Sequence, residues 1–424
     1  MSLPSSIEQR LEERFLRYSA ITSQSDPRKA GRVVPSTPGQ QVLADLLTEE
    51  LKAMGLQNVV VDTHATVTAV KPGNVAGAPR IGFICHLDTF DSGLSPHVKA
   101  QKIRYTGGDV CLNKEKDIWM RVAEHPELNK YVGQDILFSD GTSVLGADNK
   151  AAVTAVMEVV SQLDSTKTKH GDIVICFVPD EEIGLIGAKK LDVKARFNVD
   201  FAYTLDCCEL GEVVYECFNA ATAKIKLTGV SAHPMSAKGV MVNPLLMAMD
   251  FIAQFNRAET PECTEMREGY WWFHKMEANS TEARLEAMVR EHDLTKFQAR
   301  KARLLEVAKE LQARYPTGKV EIVIEDMYAN IANSLKEDRT AIDLLLQAMD
   351  KASVRPNIIP MRGGTDGAAL SAQGLVTPNF FTGAHNFHSS FEFLPIPAFV
   401  KSCEVARNII LLGASKRKMT RSSL

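Results

Sequence analysis

Three short, nearly unbroken apolar runs constrain this chain more than any other feature: Ile81–Cys85, Ile173–Val178 and Phe201–Leu205. Residues that are apolar at almost every position, rather than at every second one, suit strands covered on both faces, as in a parallel sheet between helices. Each run stops at residues of one chemical kind. His86 and Asp88 follow the first, Glu181 and Glu182 follow the second, and Asp206 ends the third. Asp148 stands just before a helical pattern over Ala151–Leu163, and His388 comes after the apolar strand pattern Thr377–Phe381. Open α/β sheets carry their chemistry at these strand ends and strand–helix junctions.

The runs are separated by helical periodicity, which predicts a doubly wound α/β domain. Helices are expected between about Ile7 and Met54, on either side of a Ser-, Pro- and Gly-rich loop from Ser23 to Gly39. Strands are expected at Val59–Val61 and Thr66–Val70. The polar stretch of about fifty residues between His86 and Leu145 is long enough to be functional or to hold small elements of its own. From Phe218 the pattern changes to alternation, at Lys224–Leu227, Ala283–Arg290 and Val320–Ile324, with helices over Pro244–Phe255 and Leu294–Arg314. Alternation marks a sheet with one solvated face. The expected architecture is therefore an α/β catalytic domain with a central, mostly parallel sheet, residues 1–217 and 331–412. An inserted α+β lid or dimerisation domain spans 218–330, and 413–424 is read as a disordered basic tail.

Composition excludes several classes. A formal net charge of −3 offers no electrostatic reason for nucleic acid or an anionic membrane as partner. No apolar run approaches the roughly 18 residues of a membrane span, and the N-terminus has no secretory pattern. The eight cysteines form no Cys-x-x-Cys pair, which favours reduced thiols and a cytoplasmic location.

Taken singly, the polar residues at the strand ends have ordinary readings. Asp148 reads as a first-turn carboxylate, Glu181-Glu182 as an acidic turn, and His388 or its neighbour His385 as a surface residue. Their conjunction is what carries chemistry. Two neutral imidazoles and three carboxylates suit a pair of divalent ions, with one carboxylate left over as a base. Asp88, two residues past His86, is placed to orient that imidazole through its other nitrogen. Mixed nitrogen and oxygen ligands favour zinc, with cobalt or manganese as substitutes.

The motifs His86-Leu87-Asp88-Thr89, Leu145-Gly146-Ala147-Asp148, Asp180-Glu181-Glu182-Ile183-Gly184, His233-Pro234, Arg362-Gly363-Gly364-Thr365-Asp366-Gly367 and Asn386-Phe387-His388 carry a resemblance. The chain resembles the di-zinc metallopeptidases that include aminoacylase, glutamate carboxypeptidase and succinyl-diaminopimelate desuccinylase. Within that family it is most similar to the aminopeptidases that act on tripeptides. The resemblance implies two zinc ions per subunit, bridged by Asp148. His86 and Asp206 complete one ion, and Glu182 and His388 the other. It implies Glu181 as general base, Asp88 as orienter of His86, and His233 as donor to the oxyanion. Arg362 would grip a substrate carboxylate, with Asn243 as a further substrate contact, and the chain would form a homodimer through the lid. Short peptides are the implied substrates; a dipeptidase or an N-acyl-amino-acid deacylase is the alternative. Asn149 departs from the family's usual second aspartate, and Met235 and Ser389 from expected glycines.

Overall fold

The computed structural model describes residues 6–163, 167–335 and 338–416. The chain divides into two compact units. The first comprises residues 1–215, 335–359 and 365–424, and the second 216–334 and 360–364.

The first unit is built on an eight-stranded mixed sheet, in the spatial order Gln57–Val61, Val67–Lys71, Ile173–Val178, Ile81–His86, Phe201–Cys207, Asn379–Phe381, Glu212–Val214 and Asn357–Ile358. Its four middle strands run parallel, with Ile81 level with Ile173 on one side and Phe201 on the other. Every residue of Ile81–His86 and of Ile173–Val178 is buried, as their continuous apolar character predicts. Helix Ala147–Gln162 packs against Ile81–His86 and Phe201–Cys207, so the strand ends and the helix start converge.

The polar stretch after His86 folds as a small element of its own. Strands Ala100–Arg104, Asp135–Ser139 and Phe393–Pro395 form one antiparallel sheet, and Val110–Asn113 pairs with Ile118–Met120. These enclose a separate apolar cluster with Tyr105, Leu112, Leu128, Tyr131, Phe138 and Phe393.

The second unit is a four-stranded antiparallel sheet, ordered Tyr270–Ala278, Glu282–Glu291, Asn219–Thr228, Lys319–Tyr328. Ala221, Ala223, Ile225 and Leu227 alternate inward to meet Met247 and Phe251 of helix Pro244–Ile252 and Leu304, Val307 and Leu311 of helix Leu294–Arg314. Strand Tyr270–Ala278 is not apparent from the sequence, because past its first residues it is mostly exposed and lacks a buried period.

The last helix, Ile396–Gly413, ends where the basic tail was expected to begin. Residues 417–424 lie outside the described residues. Among those described, no helix is long and apolar enough to cross a membrane, and all eight cysteines are unpaired.

Candidate metal centre

Bonds between distant segments fix the turns that carry several of the acidic and histidine side chains at the site. His86 is the last residue of its strand, and the strand pairing continues one step further through Leu87 N–H to the Val178 carbonyl at 2.8 Å. The His86 Nδ1 lies 3.0 Å from the Asp88 backbone carbonyl and 3.5 Å from its carboxylate. The carbonyl, not the carboxylate, is thus the nearer partner of that nitrogen. The Asp88 carboxylate instead accepts the backbone N–H groups of Glu181 at 2.9 Å and Glu182 at 3.2 Å. It thereby ties the end of one strand to the turn after its neighbour.

That turn is fixed from the other side as well. Asp180 is left-handed, with φ 56°, and its carboxylate accepts bonds from the Ser36 backbone, the Ser36 hydroxyl and the Gln40 amide at 2.6–2.8 Å. With both flanks held, Glu181 and Glu182 project from a rigid turn.

Asp148 stands at a kink, with non-helical φ −79° and ψ 100°, and Gly146 before it is left-handed. Glu392 accepts the N–H groups of Gly146 at 2.8 Å and Asp148 at 3.0 Å, which occupies donors a helix start leaves free. The Asp148 side chain is thereby released from capping. Its Oδ1 lies 2.9 Å from His86 Nε2, and its Oδ2 lies 3.0 Å from His388 Nε2. The same His388 nitrogen is 3.0 Å from Glu182 Oε1, and the ring stacks on Phe90 with centroids 4.0 Å apart. His385 points elsewhere, its Nε2 bonded to the Tyr131 hydroxyl at 2.5 Å. Asp206 Oδ1 is 3.8 Å from His86 Nε2.

Asn149, on the helix, joins two strands of this arrangement. Its Oδ1 accepts the His86 N–H at 3.3 Å, and its Nδ2 donates to the Leu205 carbonyl at 2.6 Å and to Asp206 Oδ1 at 3.2 Å. An ionised aspartate at this position would lack the donor. Among the described residues, one group has the spacing to hold a metal ion: His86, Asp148 and Glu182, whose ligand atoms all lie within 4.8 Å of one another.

The electrostatics are those of a carboxylate cluster short of positive charge. Burial, reinforced by the Asp148 charge, pushes Glu182 up to about 8, and the same two causes push Asp206 up to about 6. Burial raises Glu181 well above the carboxylate range. Asp148 resists its burial and falls below that range, because His388 and His86 both bond to it. Sequence reasoning passed over Asp366, which begins helix Asp366–Ala372. The residue is 1% exposed, and neither carboxyl oxygen has a hydrogen-bond partner among the described residues. Burial lifts it to about 8, with the negative charges of Asp206, Asp88 and Asp148 adding to the push and His86 opposing it. The only sequence signal was its place in the motif Gly364-Thr365-Asp366-Gly367, where it reads as a first-turn acid.

The remaining expected residues belong to the second unit. His233 is an exposed turn residue, its Nδ1 accepting the Met235 N–H at 3.2 Å. Asn243 caps helix Pro244–Ile252 by accepting the Leu245 N–H at 3.0 Å. Arg362 donates to Thr264 Oγ1, and to the Met266 and Glu268 carbonyls, at 2.7–3.2 Å. Its guanidinium lies over the rings of Phe218 and Tyr270.

Residues 146–412 match the model of peptidase family M20/M25/M40. The chain belongs to that family. It is 58% identical to a peptidase T-like protein of Yersinia pestis over 96% of its own length and 98% of that protein's. It is 41% identical to peptidase T of Geobacillus kaustophilus over 97% of its length and all of the relative's. In fold it is similar to a tripeptidase from Staphylococcus aureus, with a TM-score of 0.75 at 22% identity, covering 96% of this chain and 99% of that one. Membership in the M20 family makes the chain a peptidase-type hydrolase, and the strand-end cluster is its candidate metal centre.

Proposed function

We propose that this M20-family protein is a metal-dependent aminopeptidase that releases the N-terminal residue of tripeptides. The observation that carries the reading is Asp148, held between two imidazoles by its two carboxylate oxygens, with Glu182 bonded to the same His388 nitrogen. The donor set fits divalent cations. It offers two imidazoles and three buried carboxylates, and among the described residues the Asp366 carboxyl has no hydrogen-bond partner and no lysine or arginine is bonded to any of the three. His86, Asp148 and Asp206 would hold one zinc ion, and Asp148, Glu182 and His388 a second, with cobalt or manganese as substitutes. When bound, the ions supply Lewis-acid polarisation of the scissile carbonyl and acidify the attacking water to a pKa of about 7.

Glu181 takes the proton from that water at its carboxylate and returns it to the leaving amine. Its backbone is pinned by Asp88, so the carboxylate approaches from a fixed direction. His233 donates to the oxyanion; with Nδ1 accepting from the Met235 N–H, Nε2 is the nitrogen left to donate. Arg362 grips the substrate's carboxylate, its aromatic shelf and three internal bonds holding the guanidinium flat while leaving donors for a bidentate contact. Asn243 has a smaller part, since its side-chain oxygen is engaged as a cap.

A homodimer through the lid fits the exposed apolar residues Leu245, Leu246 and Met249 on helix Pro244–Ile252, preceded by exposed Val240 and Met241. The deciding experiment is a panel of free tripeptides, dipeptides, N-blocked peptides and acyl-amino acids with added zinc or cobalt. Free tripeptides should be cleaved fastest. Turnover confined to blocked or acylated compounds would overturn the aminopeptidase reading.

A further inference from the structure

The loop that carries His388 is an unusual support for a ligand. It is closed at its base by the bridge between His385 and Phe393, and within it both Asn386 (φ 57°) and His388 (φ 63°) are left-handed. Non-glycine residues hold that conformation only where their surroundings over-determine it. Part of those surroundings is the cluster itself, through Asp148, Glu182 and Phe90 at His388 and through Glu392 at Gly146 and Asp148; the other part is the segment His125–Tyr131, in the polar stretch that the proposed reaction leaves unused.

Three side chains of that segment reach the loop. The Tyr131 hydroxyl bonds His385 Nε2 at 2.5 Å. Glu127 Oε1 accepts from Asn386 Nδ2 at 2.8 Å, and the same amide nitrogen donates to the Phe391 carbonyl at 3.2 Å across the loop. The His125 ring packs on Phe391 with centroids 4.8 Å apart. The segment is itself anchored, since Leu128 and Tyr131 are buried in the small apolar cluster with Ile136, Phe138 and Phe393. On the opposite side of the cluster, His86 and Asp206 are held by strand ends and by Asn149, with no bond to this segment.

We propose that Glu127 and Tyr131 are positioning residues that set the His388 loop, and so govern one of the two metal positions without touching it. The bracing stands on the contacts alone; its consequence for metal binding rests on the metal-site reading above. The insert is then part of the centre's construction rather than an appendage. It fixes a ligand that, unlike His86, has no central strand to hold it.

The test uses the full-length Tyr131→Phe, Glu127→Gln and double variants. Hydrogen exchange on the metal-free proteins should show faster exchange across residues 385–392 and unchanged exchange across Ile81–His86. Calorimetric titration with zinc should show one of two dissociation constants raised about tenfold to a hundredfold, the range for lost outer-shell support, while the other holds. Unchanged loop exchange would overturn the brace whatever the metals do. Faster loop exchange with both affinities unchanged, or both weakened alike, would overturn the positioning role. A wild-type protein that takes up no second ion would refute the two-metal reading, and the exchange data would still judge the brace. A purely structural role would instead raise exchange throughout the first unit.

Discussion

Glu181 and Asp148 differ in what their removal should cost, and the difference is visible in their contacts. Glu181 has its backbone bound by Asp88 and its carboxyl buried. Replacing it with Gln keeps size and hydrogen-bonding capacity while removing the base. Turnover should fall by about 10²–10⁴-fold, with the metal content per chain unchanged by elemental analysis. Asp148 faces both histidines, so Asp148→Ala should lose metal as well as activity; two ions still bound would refute the bridge. Asp366 makes the opposite kind of prediction. An unpartnered buried carboxyl costs on the order of 1–3 kcal/mol, and the neighbouring acids add to that cost. Asp366→Asn should therefore stabilise the metal-free protein, measurable as a higher urea midpoint at neutral pH, and a lower midpoint would mean that the carboxyl has a hidden donor.

At the level of elements, the strand ends do the positioning, and they tolerate little change. Gly82, in the middle of strand Ile81–His86, lies where an added Cβ would come within 2.5 Å of the Phe197 ring. Gly82→Ala should destabilise by about 1–3 kcal/mol through overpacking, read from chemical denaturation, and it should weaken metal binding with it because His86 ends the same strand. These strands were legible because burial on both faces writes itself as an unbroken apolar run. The strand Tyr270–Ala278 and the small strands between Ala100 and Ser139 were not, because short or exposed strands carry little periodic signal. The Asp88 carboxylate was expected at His86 and is used mainly on the next turn, a bond between segments 93 residues apart that no local pattern encodes.

For the whole molecule, two conditions should move stability. Metal binding to the folded state alone adds about 2.7 kcal/mol at a free concentration one hundred times the dissociation constant. Chelation should therefore lower Tm, and an unchanged Tm would argue against a metal in the fold. The second is pH. Burial pushes the His385 ring down to about 4, with Glu209 and Glu127 pulling it up and Lys130 pushing it down, against about 6.5 in an unfolded chain. Between those values the unfolded state binds a proton that the folded state refuses, so stability is complete above about 6.5 and falls as pH drops toward 4. The contribution is about 3 kcal/mol. In His385→Gln the fall in urea midpoint across this window should be visibly shallower; an identical slope would show that the ring titrates normally.

The reaction class was legible in the chain because metal ligands are few in kind and sit at fixed places in an α/β sheet, immediately after the apolar runs that build it. His86, Asp148, Glu182, Asp206 and His388 could be singled out as candidate ligands without coordinates for that reason. Pairing and direction could not. His388 meets Asp148, while His385 is bonded instead to Tyr131, 254 residues earlier in sequence. That Asp366 is a buried acid rather than a solvated cap depends on which strands its helix covers. Local sequence records the chemistry a strand end can offer; which side chains face one another is set by long-range packing, and only the folded chain brings those partners within reach.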